Sequence, residues 1–129
     1  MGSLLEEIRT RAAADSPLWE RALLPGEAPA PEFEGRCPQP YLLGVEMIRE
    51  GYLLHNGRGR LFAQDADLAL LTGDYLYAAG LVEICGTGDL DAVTTLAGLI
   101  ARCSHNRGEQ RPPGDDDALW DSALAALGD

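Results

Sequence analysis

No lysine occurs in the 129 residues: all ten basic side chains are arginine. A lysine nucleophile or Schiff base is therefore excluded anywhere in the chain. Positive charge is scarce altogether, because 21 acidic residues stand against those ten and leave a net charge of −11. Such a chain is repelled by phosphate backbones and anionic membrane surfaces, so nucleic acid is not an expected partner. Cysteine is sparse too. Cys37, Cys85 and Cys103 are odd in number, widely spaced and without a C-x-x-C pair, which fits neither a disulfide framework nor a zinc site and suits a reducing cytoplasm. His55 and His105 are the two histidines, and neither has a nucleophile arranged beside it in sequence, so a catalytic triad has no support. Cys103 and His105 supply two metal ligands at most, an incomplete site. No uncharged apolar run approaches the ~20 residues that span a bilayer, and the acidic amino terminus lacks the positive charge of a signal peptide. A chain that stays in the cytoplasm, with no transmembrane segment, is the expectation.

What is present is helical patterning and an ordinary apolar content of 46%, enough for one domain over residues 1–129. Ser3 and Glu6 form a capping-box pattern before Leu4, Leu5, Ile8 and Ala12. Ser16-Pro17 restarts a short helix with Leu18, Trp19, Ala22 and Leu23, and residues 3–24 are expected to dock as a helix pair. Residues 25–40 hold five of the eight prolines and predict a linker or surface strap. Tyr41, Leu42, Val45, Ile48, Tyr52 and His55 mark a helix over 41–55 that Asn56-Gly57 stops, with Arg49 and Glu50 facing away from its apolar side.

The next helix, over 61–85, is apolar on every side except for Gln64, Asp65, Asp67, Asp74 and Glu83, so it is expected to be central and covered by others. Gly86 and Gly88 end it. Leu90, Val93, Leu96, Ala97, Ile100 and Cys103 line a further helix that stops near Gly108. After Arg111-Pro-Pro-Gly, Asp115, Asp116 and Asp117 place negative charge at the positive end of a last helix over 115–127, through Leu119, Trp120, Ala123, Leu124 and Leu127. The fold class is all-α, a bundle of about six helices.

Few residues carry chemistry. Asp65 and Asp67 stand two apart and face different ways, which suits neither metal binding nor acid and base work. Asp115 to Asp117 with Asp121 resemble an acidic metal motif only loosely and read as a helix amino-terminal charge cluster. Asp74, in mid-helix among apolar residues, is expected to be a buried acid bonded to an arginine or a helix amino terminus. His55 is expected to be a buried structural histidine.

The run Tyr-Leu-Leu-His55, then Arg58-Gly-Arg60-Leu, then Leu-Leu-Thr-Gly73-Asp74-Tyr75-Leu-Tyr77, resembles the middle of an isoprenyl diphosphate synthase. In that family an apolar helix ends in a histidine followed by paired aspartates that hold magnesium, and a later helix carries a Leu-x-Gly-Asp-Tyr-Leu run. Here Asn56 and Gly57 follow His55 and no carboxylate comes before Asp65, so the first magnesium site is missing. The likeness spans residues 41–108, about half the chain, and is strongest to the small subunits of heterodimeric hexaprenyl and heptaprenyl diphosphate synthases. Those subunits are inactive alone, pair with a catalytic large subunit and help set prenyl chain length.

The resemblance implies an all-α fragment of the isoprenoid synthase fold with no catalytic residue and no metal or cofactor of its own; Mg2+ comes with the catalytic partner. It further implies diphosphate contacts at Arg58 and Arg60, and a partner interface or prenyl groove at Tyr75, Tyr77 and Leu81. Two other readings stand beside it: a helical interaction module unrelated to prenyl transfer, such as a homodimer, and a minimal prenyl-transferring enzyme using Asp115 to Asp117 and Asp121.

Overall fold

The structure, a computed structural model, describes residues 3–128. Among them are six α-helices and no strand: α1 Leu4–Asp15, α2 Pro17–Ala22, α3 Gln39–His55, α4 Ala66–Cys85, α5 Leu90–Gly108 and α6 Asp117–Gly128, with a 3-10 turn over Pro113–Asp116 before α6. Helix starts follow local chemistry. Ser3 accepts from the Glu6 N–H, Ser16 from Leu18 and Asp89 from Ala92, each satisfying a backbone donor the helix cannot. Asn56 ends α3, and Gly57 turns the chain at φ 76°.

α3 and α4 form the middle layer, running antiparallel. On one side lies a core of Leu5, Ile8, Ala12, Ala22, Met47, Leu54, Phe62 and Leu76, contributed by α1, α2, the α3–α4 loop and the middle pair. On the other lies a core of Phe33, Val45, Tyr52, Ile84, Leu96, Leu99, Cys103, Trp120 and Leu124, where α5, α6 and the proline-rich segment cover the same pair. Fully burying a side chain of the Leu or Phe class contributes roughly 1.5–3 kcal/mol, so both layers depend on the central pair.

The proline-rich segment is a strap laid on this core, with Phe33 and Cys37 buried beneath it. Within the strap the N–H groups of Arg36 and Cys37 donate to the Phe33 carbonyl at 2.9 and 3.0 Å, and α3 satisfies the Phe33 N–H, which donates to the Glu46 carboxylate at 2.8 Å.

Two expectations need correction. α4 starts at Ala66, five residues later than the apolar run, because Leu61 and Phe62 are held extended: Leu24 N–H donates to the Leu61 carbonyl at 2.8 Å and Ala63 N–H to Ala22 at 2.7 Å. α4 is also not covered all round, since Leu71 is 55% and Val82 71% exposed. By length and composition the 20 residues of α4 are apolar enough to cross a bilayer, although the helix carries Asp67, Asp74 and Glu83 and packs along one side against α3.

Candidate functional site

The α3–α4 contact is a glycine seam. Gly44 and Gly51 on α3 stand seven residues apart, as do Gly73 and Gly80 on α4, so antiparallel packing sets Gly44 against Gly80 and Gly51 against Gly73. A Cβ at Gly51 would lie 2.7 Å from the Gly73 carbonyl oxygen, and one at Gly80 would lie 2.8 Å from that of Gly44. At Gly51 the nearest atom is backbone, which no side-chain movement relieves, while Gly44, Gly73 and Gly80 are crowded first by Ile84, His55 and Ile48 and then by the facing carbonyl.

At the end of this seam the two segments that carry the family resemblance meet. His55 Nε2 is 3.1 Å from Asp74 Oδ1 and 3.1 Å from the Leu70 carbonyl. Both neighbours are acceptors, so this nitrogen holds a proton and donates. The imidazole lies edge-on to Tyr77, ring centroids 5.0 Å apart, and Arg107 Nε donates to the His55 carbonyl at 2.8 Å, placing a cation at the carboxyl end of α3. His55 is largely buried, as expected, but Asp74 is not: its side chain is 69% exposed and its partner is a histidine rather than an arginine. Mid-helix position in an apolar run does not imply burial when one side of the helix is open.

The acids that are fully buried lie on α3. Glu46 and Glu50 are both at 0% exposure. Glu50 accepts from Arg60 Nε at 2.9 Å and from the backbone N–H groups of Arg60 and Leu61 at 2.9 and 2.8 Å, while Glu46 accepts from Arg60 Nη1 at 3.0 Å as well as from Phe33. One helix thus clasps both the strap and the loop over 56–65. Glu50 and Arg49, expected to face away from the apolar side, are corrected together. Arg49 pairs with Glu32 through two bonds at 2.9 and 3.0 Å, and its guanidinium lies 4.8 Å from the Trp120 ring, 5.1 Å from Tyr52 and 5.4 Å from Phe33.

These contacts change the standing of the diphosphate candidates. Arg60 spends its guanidinium on two buried carboxylates, and Arg58 is exposed, 5.9 Å over the Tyr52 ring. Of the residues expected at a groove or partner interface, Tyr75 lines a groove between α1 and α4, and all three also pack within the chain. Tyr75 stacks on Trp19 at 4.9 Å and its hydroxyl donates to Asp15 at 2.5 Å; burial, then that bond, pushes its pKa up. Tyr77 is buried against Tyr52 and Leu81 packs partly against the core.

A second polar cluster sits between α3 and the 3-10 turn. Asp116 is buried and accepts from the Tyr52 hydroxyl at 2.7 Å and Asn106 Nδ2 at 2.8 Å. Asp115 and Asp117 are exposed, and Asp121 is exposed and paired with Arg36 at 2.9 Å, so the four aspartates do not converge. Asp65 and Asp67 are exposed as well. Cys103 lies buried near Asp116, its thiol pushed up to about 12 by burial and then by that carboxylate, whereas His105 is exposed and bound to Glu109. Among the described residues no three His, Cys, Asp or Glu side chains gather closely enough to hold a metal ion.

Glu46, Glu50 and Asp116 were not legible as buried polar centres. Two glutamates at i and i+4 read as a solvated face, and their partners lie 10 or more residues away in sequence. The available signal was the near absence of other charge on α3: with Arg49 they are its charged side chains, on a helix apolar elsewhere.

What remains open to other molecules is the outer face of α4. Of the five large apolar side chains left exposed among the described residues, Leu70, Leu71 and Val82 belong to it. Ala78 and Cys85 continue the stripe. Beside it, a groove of about 460 Å³ between α1 and α4 has Met47, Ala78 and Ala79 along it and Asp15, Glu83 and Arg11 around it. A second cleft, of about 540 Å³ between α5 and α6, is bordered by Arg102, His105, Arg111 and Asp115; Glu109 binds two of these, His105 and Arg111, at 3.0 and 3.1 Å.

Fold and site together define an all-α protein whose central helix pair carries buried ion pairs and one open apolar face. The chain matches no family model, and neither a curated protein nor a solved structure is similar enough to it to count as a match.

Proposed function

We propose that this chain is a non-catalytic helical subunit of a polyprenyl diphosphate synthase, supporting prenyl chain elongation by a catalytic partner that brings the magnesium and binds the diphosphates. The observation that carries the reading is the meeting of its two resembling segments: the helix ending at His55 and the Gly73-Asp74-Tyr75 helix pack through the glycine seam and join at the His55–Asp74 contact. A row of apolar side chains on α4 left exposed among the described residues gives a reason for partner dependence.

The test is to mix or co-express the chain with its host's longer polyprenyl synthase and follow incorporation of isopentenyl diphosphate into an allylic primer, each alone and both together. Activity, or a changed product length, confined to the mixture is the expected result. No complex and an unchanged synthase overturn it. The open α4 face serves equally a helical interaction module unrelated to prenyl transfer, and a stable complex containing no synthase would select that reading.

A further inference from the structure

We propose that the groove between α1 and α4, with the exposed stripe Leu70, Leu71, Ala78, Val82 and Cys85, seats an amphipathic helix of another protein whose apolar ridge is flanked by arginine or lysine. This names the surface and the partner chemistry of the subunit role proposed above, and rests on that reading for the partner's identity. The apolar part of the argument is exposure: Leu71 and Val82 stand more than half in solvent on a helix whose opposite side is fused to α3. Single apolar side chains on a surface are ordinary, but several on one helix face beside a groove of about 460 Å³ are the form that receives the ridge of a helix.

Charge selects among occupants. The stripe carries Asp67 and Asp74, both exposed, and the groove carries Asp15 and Glu83. Arg11 is the cation lining it, and it is already bound to Glu83 at 2.6 Å and Glu7 at 3.2 Å. A second copy of this chain, at net charge −11, would bring acid against acid, and an anionic lipid surface would be repelled in the same way. A helix with basic flanks meets complementary charge on both sides of its ridge.

Cys85 provides the readout, because it is exposed on the same face while Cys37 and Cys103 are buried. The whole chain is titrated with a synthetic helical peptide bearing one leucine ridge flanked by lysines, with the same peptide flanked by glutamates, and with anionic phospholipid vesicles, while maleimide attachment at Cys85 is timed by mass spectrometry. The lysine peptide is expected to slow labelling about tenfold at saturation and the other two to leave it unchanged. Leu71→Ser combined with Val82→Ser keeps the charge and should remove the protection; circular dichroism checks that its helices persist. Asp67→Asn combined with Asp74→Asn keeps the apolar stripe and should weaken the lysine peptide about tenfold.

Equal protection by both peptides, protection by vesicles, protection by self-association of the chain at high concentration, or no protection overturns the proposal. A complex with the synthase that leaves Cys85 fully reactive overturns this docking face while the subunit role survives. Protection by the lysine peptide without any synthase complex supports the face and removes the synthase as its partner.

Discussion

α3 buries two glutamates completely, whereas α4, the more apolar helix by composition, leaves Leu71 and Val82 largely in solvent. The two lie side by side, and what differs is the number of neighbours around each. α3 has α1, the strap, the 56–65 loop, α5 and the 3-10 turn packed around it, so nearly every position on it is interior, and any charge it carries must find a partner there. Arg60 and the N–H groups of Phe33, Arg60 and Leu61 are those partners. α4 has α3 on one side and lighter cover elsewhere. Position in the bundle, more than side-chain polarity, decided which of these residues meet water.

The contrast is broken most severely at Glu50. Glu50→Ala removes one of the two carboxylates that hold Arg60 and the acceptor of two loop N–H groups, leaving Arg60 to Glu46 alone and both donors unpaired, and is expected to cost about 3–5 kcal/mol in urea unfolding. A loss under about 1 kcal/mol would show that the clasp is incidental.

Gly51→Ala is expected to cost about 1–3 kcal/mol, because its Cβ meets a backbone carbonyl that cannot move without parting the helices. Gly98→Ala on α5 provides the control: a Cβ there meets Arg102 at 3.6 Å in ordinary contact, so the helix should gain roughly 0.5–1 kcal/mol. Equal effects at both positions would count against a close α3–α4 approach.

Removing apolar surface from α4 should do much less. Leu71→Ser and Val82→Ser are each expected to change unfolding free energy by no more than about 0.5 kcal/mol, which denaturant titration resolves. A loss near 2 kcal/mol would mean that this face is covered within the chain itself.

The smallest effect concerns reactivity rather than stability. Burial, then the nearby acid, pushes the Cys37 thiol up to about 11 and the Cys103 thiol up to about 12, so at pH 8 both remain protonated and enclosed. A thiol reagent should modify one site, Cys85, in the folded chain and all three after unfolding. Thiols of an unfolded chain ionise near pH 9, so these two groups should cost the fold stability from about pH 9 upwards, and the loss is complete once the pH has passed their folded values of about 11 and 12.

Local signals, a 3.6-residue period and a capping side chain, marked α1 through Ser3, Leu5, Ile8 and Ala12, and α5 through Leu96, Ile100 and Cys103; the buried Ala92 and Leu99 of α5 were not among the residues that pattern named. The same reasoning extended α4 back to Leu61, since an apolar pair before a helix looks like its first turn. Leu24, Ala22 and Glu50 hold those residues extended instead, and all three are distant in sequence. It also placed Asp74 inside, where a count of apolar neighbours along the helix gives no information about which side faces solvent.

The sequence by itself determined the all-helical class, the capped starts of α1 and α2, the proline strap and the excess of acid, because each follows from neighbours within a turn or two or from composition alone. Only the tertiary structure decided that Gly44, Gly51, Gly73 and Gly80 form one seam, that Arg60 belongs to Glu46 and Glu50, and that α4 keeps an open face. The physical reason is that burial, and the pairing of buried charge, are properties of the space around a residue. That space is filled by segments whose approach no local pattern encodes.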